Sequence, residues 1–168
     1  FFEEDGSLEE FEKGNSREQG DFSMQPAEVE VERLPAGEGH PGEGAQIIFW
    51  REGQLTEDLS LLLKKTVTVY AGEDCLQVEY YLVNRSKDSA AICFGVEFNL
   101  AFLSGSDDER YYVIPGRELE DRRLGSRGVE EAVAELSLVD HRRNLSLALS
   151  WHRPARLWRL PVETISLS

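Results

Sequence analysis

Between Ala91 and Leu103 the chain alternates without a break. Ile92, Phe94, Val96, Phe98, Leu100 and Phe102 fall on one side, and Cys93, Gly95, Glu97, Asn99 and Ala101 on the other. Successive side chains of an extended chain point to opposite faces, so one register sends the bulky row into a core and turns the smaller, partly polar row away from it. The spacing therefore predicts one long strand, with its apolar face packing a sandwich and its other face lining an open cup. An acid and an amide in such a cup suit binding better than catalysis.

The same period of two recurs along the chain. Val29 and Val31 alternate with Glu28, Glu30 and Glu32 near Ala27–Leu34, and Gln46–Arg51 forms a further strand. Leu61, Leu63, Val67 and Val69 alternate with Lys64, Thr66, Thr68 and Tyr70, Ala71–Asp74 turns the chain, and Leu76, Val78, Tyr80 and Leu82 return. That is a hairpin. A short strand is expected at Tyr111–Ile114, and a second hairpin joins Val133–Val139 to Leu145–Trp151. There Leu145, Leu147, Leu149 and Trp151 face one way. A last strand spans Leu157–Leu167, interrupted at Pro161. Ser7-Leu8-Glu9-Glu10 has capping-box spacing before a short helix that Gly14 ends. Residues 35–44 hold Pro, Gly, Glu and His with no large apolar group, so they read as a flexible loop.

Roughly nine strands, one short helix and no helical period between strands exclude a parallel sheet. What is left is an all-β chain, an antiparallel two-sheet β-sandwich with one short N-terminal helix. Its 168 residues fit a single domain, with residues 1–22 as helix and linker. The chain opens on Phe1-Phe2-Glu3-Glu4-Asp5 with no initiator Met, which reads as a cut inside a longer protein.

A net charge of −14, from 32 acids against 18 bases, makes nucleic acid and anionic lipid poor partners. Neutral ligands such as sugars stay open. No apolar run approaches the roughly 20 residues of a membrane span, so no membrane association is expected. Cys75 and Cys93 are the only cysteines; two thiols on neighbouring strands stay free more often than they bond, which favours a cytoplasmic location.

Signatures of catalysis are missing: no G-x-S-x-G, no phosphate-cradling loop, no H-E-x-x-H and no C-x-x-C. His40, His141 and His152 are widely spaced, so no metal site or cofactor is expected. Ser106-Asp107-Asp108-Glu109 has oxygens suited to Ca²⁺ but reads more simply as a solvated acidic turn. Glu97 is open to three readings: a hydrogen-bonded structural acid, a ligand contact, or a catalytic group. Asn99 shares its face and, as an amide, both donates to and accepts from a sugar hydroxyl. Trp50, Trp151 and Trp158 could stack on sugar rings, although a Trp in a sandwich more often fills the core.

Three stretches in order carry a family resemblance. Leu8-Glu9-Glu10-Phe11 followed by Gly20-Asp21-Phe22 and Gln25-Pro26, then Val96-Glu97-Phe98-Asn99-Leu100, then Leu157-Trp158-Arg159-Leu160-Pro161-Val162-Glu163-Thr164-Ile165-Ser166 together resemble the last domain of α-amylase/4-α-glucanotransferases of glycoside hydrolase family 57. The resemblance implies a twisted sandwich like that of galactose mutarotase. It also implies catalysis by a Glu nucleophile and an Asp general acid in a preceding (β/α) barrel, so no catalytic residue falls in this chain. The domain is then expected to be non-catalytic, to pack on the catalytic barrel of the same polypeptide, and to help hold α-glucan or maltooligosaccharide. Glu97 and Asn99 would bond hydroxyls, with Trp151 and Trp158 as stacking groups. The family's chain usually runs past the Thr-Ile-Ser segment, so an open sheet edge that could pair with another chain, as in a dimer, is expected here. Two rival readings stay open. One is a mutarotase-like epimerase using Glu97 with His141 or His152 as acid and base; the other is a purely structural domain.

Overall fold

Strand alternation governs most of the molecule. A computed structural model describes residues 1–2, 6–20, 22–23, 25–37, 39–102 and 104–161. It holds one helix, α1 (Leu8–Glu12), and seven strands. These are β1 (Glu28–Leu34), β2 (Gly44–Thr56), β3 (Leu59–Tyr70), β4 (Leu76–Asn84), β5 (Arg110–Val113), β6 (Gly128–Asp140) and β7 (Leu145–Arg159). Every pairing is antiparallel, in two sheets ordered β1-β2-β3-β4 and β5-β6-β7. The chain is therefore all-β, with the two antiparallel sheets and single short helix that its alternation predicts. It divides into two units, Phe1–Gly95 and a second beginning at Val96.

In the first unit, Ser7 caps α1 by accepting a hydrogen bond from the Glu10 N–H at 3.2 Å, and Gly14 leaves the helix at φ 68°. Register then sorts the side chains of the sheet. Val31 stands opposite Ile47, Ile47 opposite Val67, and Val67 opposite Val78. Residues opposite one another share a face, so these aliphatics form one apolar side. At one end of that side Leu61, with 2% of its surface exposed, packs with Phe1, Leu55 and Leu59. Phe22, Leu63, Leu82, Ile92 and Phe94 pack around that cluster. The reverse face carries Glu30 opposite Ile48, Ile48 opposite Thr66, and Thr66 opposite Glu79.

In the second unit the core is Ile114, Leu124, Val133, Leu136 and Leu138, with Phe102, Tyr112, Leu119, Leu149, Trp151 and Leu157 around it. Two register shifts interrupt β6 against β7, on either side of Val133. At the first, Ala132 takes φ 52° and its carbonyl accepts from the Arg117 Nη2–H at 3.2 Å. Another close approach needs glycine: the Gly125 N–H donates to the Gly105 carbonyl at 2.7 Å, and a Cβ at Gly125 would sit 2.9 Å from that oxygen.

The long strand predicted over residues 91–103 does not form. Among residues 91–102 only Cys93 pairs, through a single bridge in which the Phe2 N–H donates to its carbonyl at 3.1 Å; Leu103 lies outside the described residues. The reason is that the apolar row serves two cores. Ile92 and Phe94 enter the first, Phe102 enters the second, and Val96, Phe98 and Leu100 between them stay exposed. Alternation dictates extended backbone but names no partner strand. Conversely, β7 runs through to Arg159 instead of ending near Trp151. Residues 162–167 of the expected closing strand lie outside the described residues. Both cysteines are free thiols; Cys75 is exposed and Cys93 half-buried.

Leu61→Ala is expected to cost about 2–5 kcal/mol of unfolding free energy in a denaturant titration. Val69→Ala, at a side chain 44% exposed on the same strand and face, should cost no more than about 1 kcal/mol. Equal losses would contradict the placement of this core.

Candidate functional site

Each residue that the sequence nominates for a site has a definite place in the chain's elements. Glu97 and Asn99 are exposed on the unpaired stretch after Gly95. Trp151 points the other way in use: its indole N–H donates to the Val133 carbonyl at 2.6 Å while its ring packs on the second core. An indole already bonded and packed is a core residue. Trp158 is half-buried on β7, opposite Val129. The strand expected to carry Glu97 and Asn99 does not form.

The histidines belong to different elements. His141 opens the turn between β6 and β7 and is exposed, as is His152 on β7. His40 stacks flat on Tyr70, with ring centroids 3.7 Å apart and planes 4° from parallel, and its Nδ1 lies 2.7 Å from Glu73 Oε1. The Glu73 carboxyl is held below its ordinary range chiefly by that bond to His40. Its other oxygen accepts from the Cys75 thiol at 3.6 Å, which pushes the thiol pKa up and so disfavours the reactive thiolate. This cluster anchors residues of the 35–44 loop to the β3–β4 turn. It supplies no nucleophile.

Alternation cannot reveal the paired charges of the second unit. Arg110 and Asp140 face each other across β5 and β6, with 7% and 1% of their surfaces exposed, and Arg110 Nε donates to Asp140 Oδ2 at 2.8 Å. Arg110 Nη1 also donates to Asp107 Oδ2 at 3.1 Å, and Asp140 Oδ1 accepts the Arg143 N–H at 3.1 Å. Arg142 reaches Asp107 at 3.3 Å and pairs with Glu109. In the acidic turn that suggests Ca²⁺, Asp107 and Glu109 are thus engaged by arginine. Among the described residues no group of three or more His, Cys, Asp or Glu is placed to hold a metal ion.

A second network centres on Arg159, 5% exposed, which donates to Ser126 Oγ at 2.8 Å and to Glu130 Oε1 at 3.2 Å over the Tyr112 ring. Burial raises the Tyr112 pKa. Gly128 lies against this guanidinium so closely that a Cβ would collide with it. A shallow open recess beside it is lined by Asp121, Gly125, Ser126, Arg127 and Pro161. The Asp121 carboxylate there receives the Arg123 side chain at 2.7 Å, which lowers its pKa to about 2. Arg159 Nε is buried with no hydrogen-bond partner among the described residues.

One surface does collect unmatched recognition chemistry, and the sequence reading named only one of its members, Trp50. Trp50 stands opposite Lys64, and Lys64 opposite Tyr81, so the three form a row across β2, β3 and β4 on the polar side of the first sheet. Glu28 on β1 extends the row beyond Trp50. Tyr81 is 64% exposed, the highest exposure among the large aromatics. Counting outward from the Ala71–Asp74 turn yields the Lys64–Tyr81 pair, since the turn fixes which residues of the hairpin face each other, but not their pairing with Trp50 on β2.

Folded-state pKa values of Asp140 and Asp121 lie below their ordinary values because arginines bind the ionised form. The stability they add is complete above the unfolded carboxylate pKa of about 4 and drains away as pH falls through the folded values. Thermal melts from pH 7 to pH 2 should show it: Asp140→Asn lowers Tm at neutral pH and converges on the parent in acid. Parallel profiles would contradict the pairing.

A family model described as alpha-amylase/4-alpha-glucanotransferase, C-terminal, matches residues 1–168. No curated protein and no solved structure matches the chain. With the match running over every residue of two antiparallel sheets that hold no assembled catalytic group among the described residues, the chain belongs to the alpha-amylase/4-alpha-glucanotransferase C-terminal family.

Proposed function

We propose that this chain is a non-catalytic C-terminal domain of an enzyme acting on α-glucan, and that it helps hold the glucan while the reacting carboxylates lie in another part of the polypeptide. The observation that carries the reading is the whole-chain family match joined to the state of the acids. Asp140, Asp107, Asp121 and Glu130 are each committed to arginine partners. Glycosidic chemistry needs two carboxyl groups set across a cleft, one of them free to carry a proton. An epimerase needs an acid and a base on one concave face. Glu97, His141 and His152 are exposed and belong to separate segments, which favours a supporting role over either chemistry.

Val96, Phe98 and Leu100 support a further part of the reading, packing against the catalytic barrel of the same polypeptide. They are 41%, 52% and 36% exposed on extended backbone that joins no sheet among the described residues. A row of this kind is what a neighbouring domain covers.

Titrating the full chain with maltoheptaose in a calorimeter tests the role. Saturable heat at millimolar sugar, with no shorter oligosaccharides in the mixture after prolonged incubation, is the expected outcome. No heat at tens of millimolar sugar would remove the glucan-holding role, and product formation would contradict its non-catalytic character. Polarimetry of freshly dissolved glucose should give the buffer rate of mutarotation; a faster rate would restore the epimerase.

A further inference from the structure

We infer that the glucan is held on the polar side of the first sheet, with Trp50 and Tyr81 as its stacking platform. The inference rests on the glucan-holding role proposed above and adds the place, which differs from the one the sequence suggests around Glu97 and Asn99. Three observations on the first unit carry it.

The first is geometric. Register puts Trp50, Lys64 and Tyr81 side by side on three adjacent strands. Strands in a sheet lie about 4.8 Å apart, so the two aromatic positions stand roughly 10 Å apart, with a cation between them. A linear sugar chain laid across the strands meets one aromatic with one ring and the next aromatic a ring or two further on.

The second is chemical. A pyranose has apolar C–H faces and a rim of hydroxyls. Aromatic side chains cover the faces, and charged or amide groups at the sides serve the rim. Lys64 is exposed and offers three donors, while Glu28 and Glu79, exposed on the same face, offer acceptors only. Both kinds of partner therefore border the platform. The glutamates also select the ligand: they repel an anionic polymer and leave a neutral polyol welcome.

The third is exposure. The aliphatic cluster of Leu61, Leu63 and Leu82 lies on the opposite side. On the side of the row Ile48, Thr66 and Thr68 are buried, Trp50 is half-buried, and Tyr81, 64% exposed, offers its ring to a ligand.

The test is a maltoheptaose titration of the full chain, followed by tryptophan fluorescence and by calorimetry, on the parent, Trp50→Ala, Tyr81→Ala and Asn99→Ala. Loss of one stacking contact should weaken binding roughly five- to ten-fold in Trp50→Ala and in Tyr81→Ala. Asn99→Ala should bind like the parent, and Tyr81→Ala should keep the parent's melting temperature because its ring is exposed. If Trp50→Ala fails to fold, Tyr81→Ala alone decides. Parent binding with unchanged affinity in Tyr81→Ala would overturn this location while leaving the glucan-holding role intact. Absence of binding by the parent would end both. Binding of an oligolysine peptide in place of the sugar, lost in Tyr81→Ala, would reassign the face to a basic partner.

Discussion

In an antiparallel ladder a slip of one residue exchanges the two faces of a strand. The stacking platform proposed for this chain depends on Lys64, and not Lys65, standing between Trp50 and Tyr81. The two lysines are neighbours and point to opposite sides. Lys65 falls on the apolar side, where its ammonium lies 5.7 Å from the centre of the Tyr80 ring. Lys64 keeps its charge in solvent between two aromatics. The turn at Ala71–Asp74 sets Val69 opposite Leu76 and thereby every pair beyond it. A local feature of four residues thus decides which side is greasy and which can recognise a polar ligand.

The second unit uses charge differently. From residue 96 onward the chain has arginine and no lysine; its four lysines all precede that point. A guanidinium is a planar fork that donates in several directions at once. Arg110 uses it to join Asp140 on β6 to Asp107 in the turn before β5, and Arg159 to join Ser126 to Glu130. Breaking such a pair strands a buried charge, which costs far more than the pair contributes intact. These networks therefore fix the arrangement of turns and strands. They also engage the carboxylates of Asp107, Asp140 and Glu130.

Much of the fold is legible in the sequence where alternation and turn chemistry agree. The β3–β4 hairpin and the facing of Leu145, Leu147, Leu149 and Trp151 follow from a period of two closed by polar turns. Legibility ends where the outcome depends on what a strand pairs with. Residues 91–102 carry the clearest alternation in the chain, yet their apolar groups are divided between two cores and the middle three stay exposed. β7 departs in the opposite direction, running on through Pro154 to Arg159 where the alternation suggests an end at Trp151. On this edge strand Pro154 falls where the register shifts between Ser150 and Ala155, so its missing N–H costs no ladder bond. Of the site, Trp50 was legible as a candidate by residue type, whereas Lys64 and Tyr81 become visible only through register.

Cross-strand proton contacts measured by NMR over residues 44–84 test that register most directly. The account requires Hα–Hα contacts drawn from the pairs Trp50–Lys64, Lys64–Tyr81 and their neighbours two residues away, since close pairs alternate along an antiparallel ladder. Contacts displaced by one residue, such as Trp50 with Lys65, would turn Trp50 and Tyr81 to opposite sides of the sheet and contradict it.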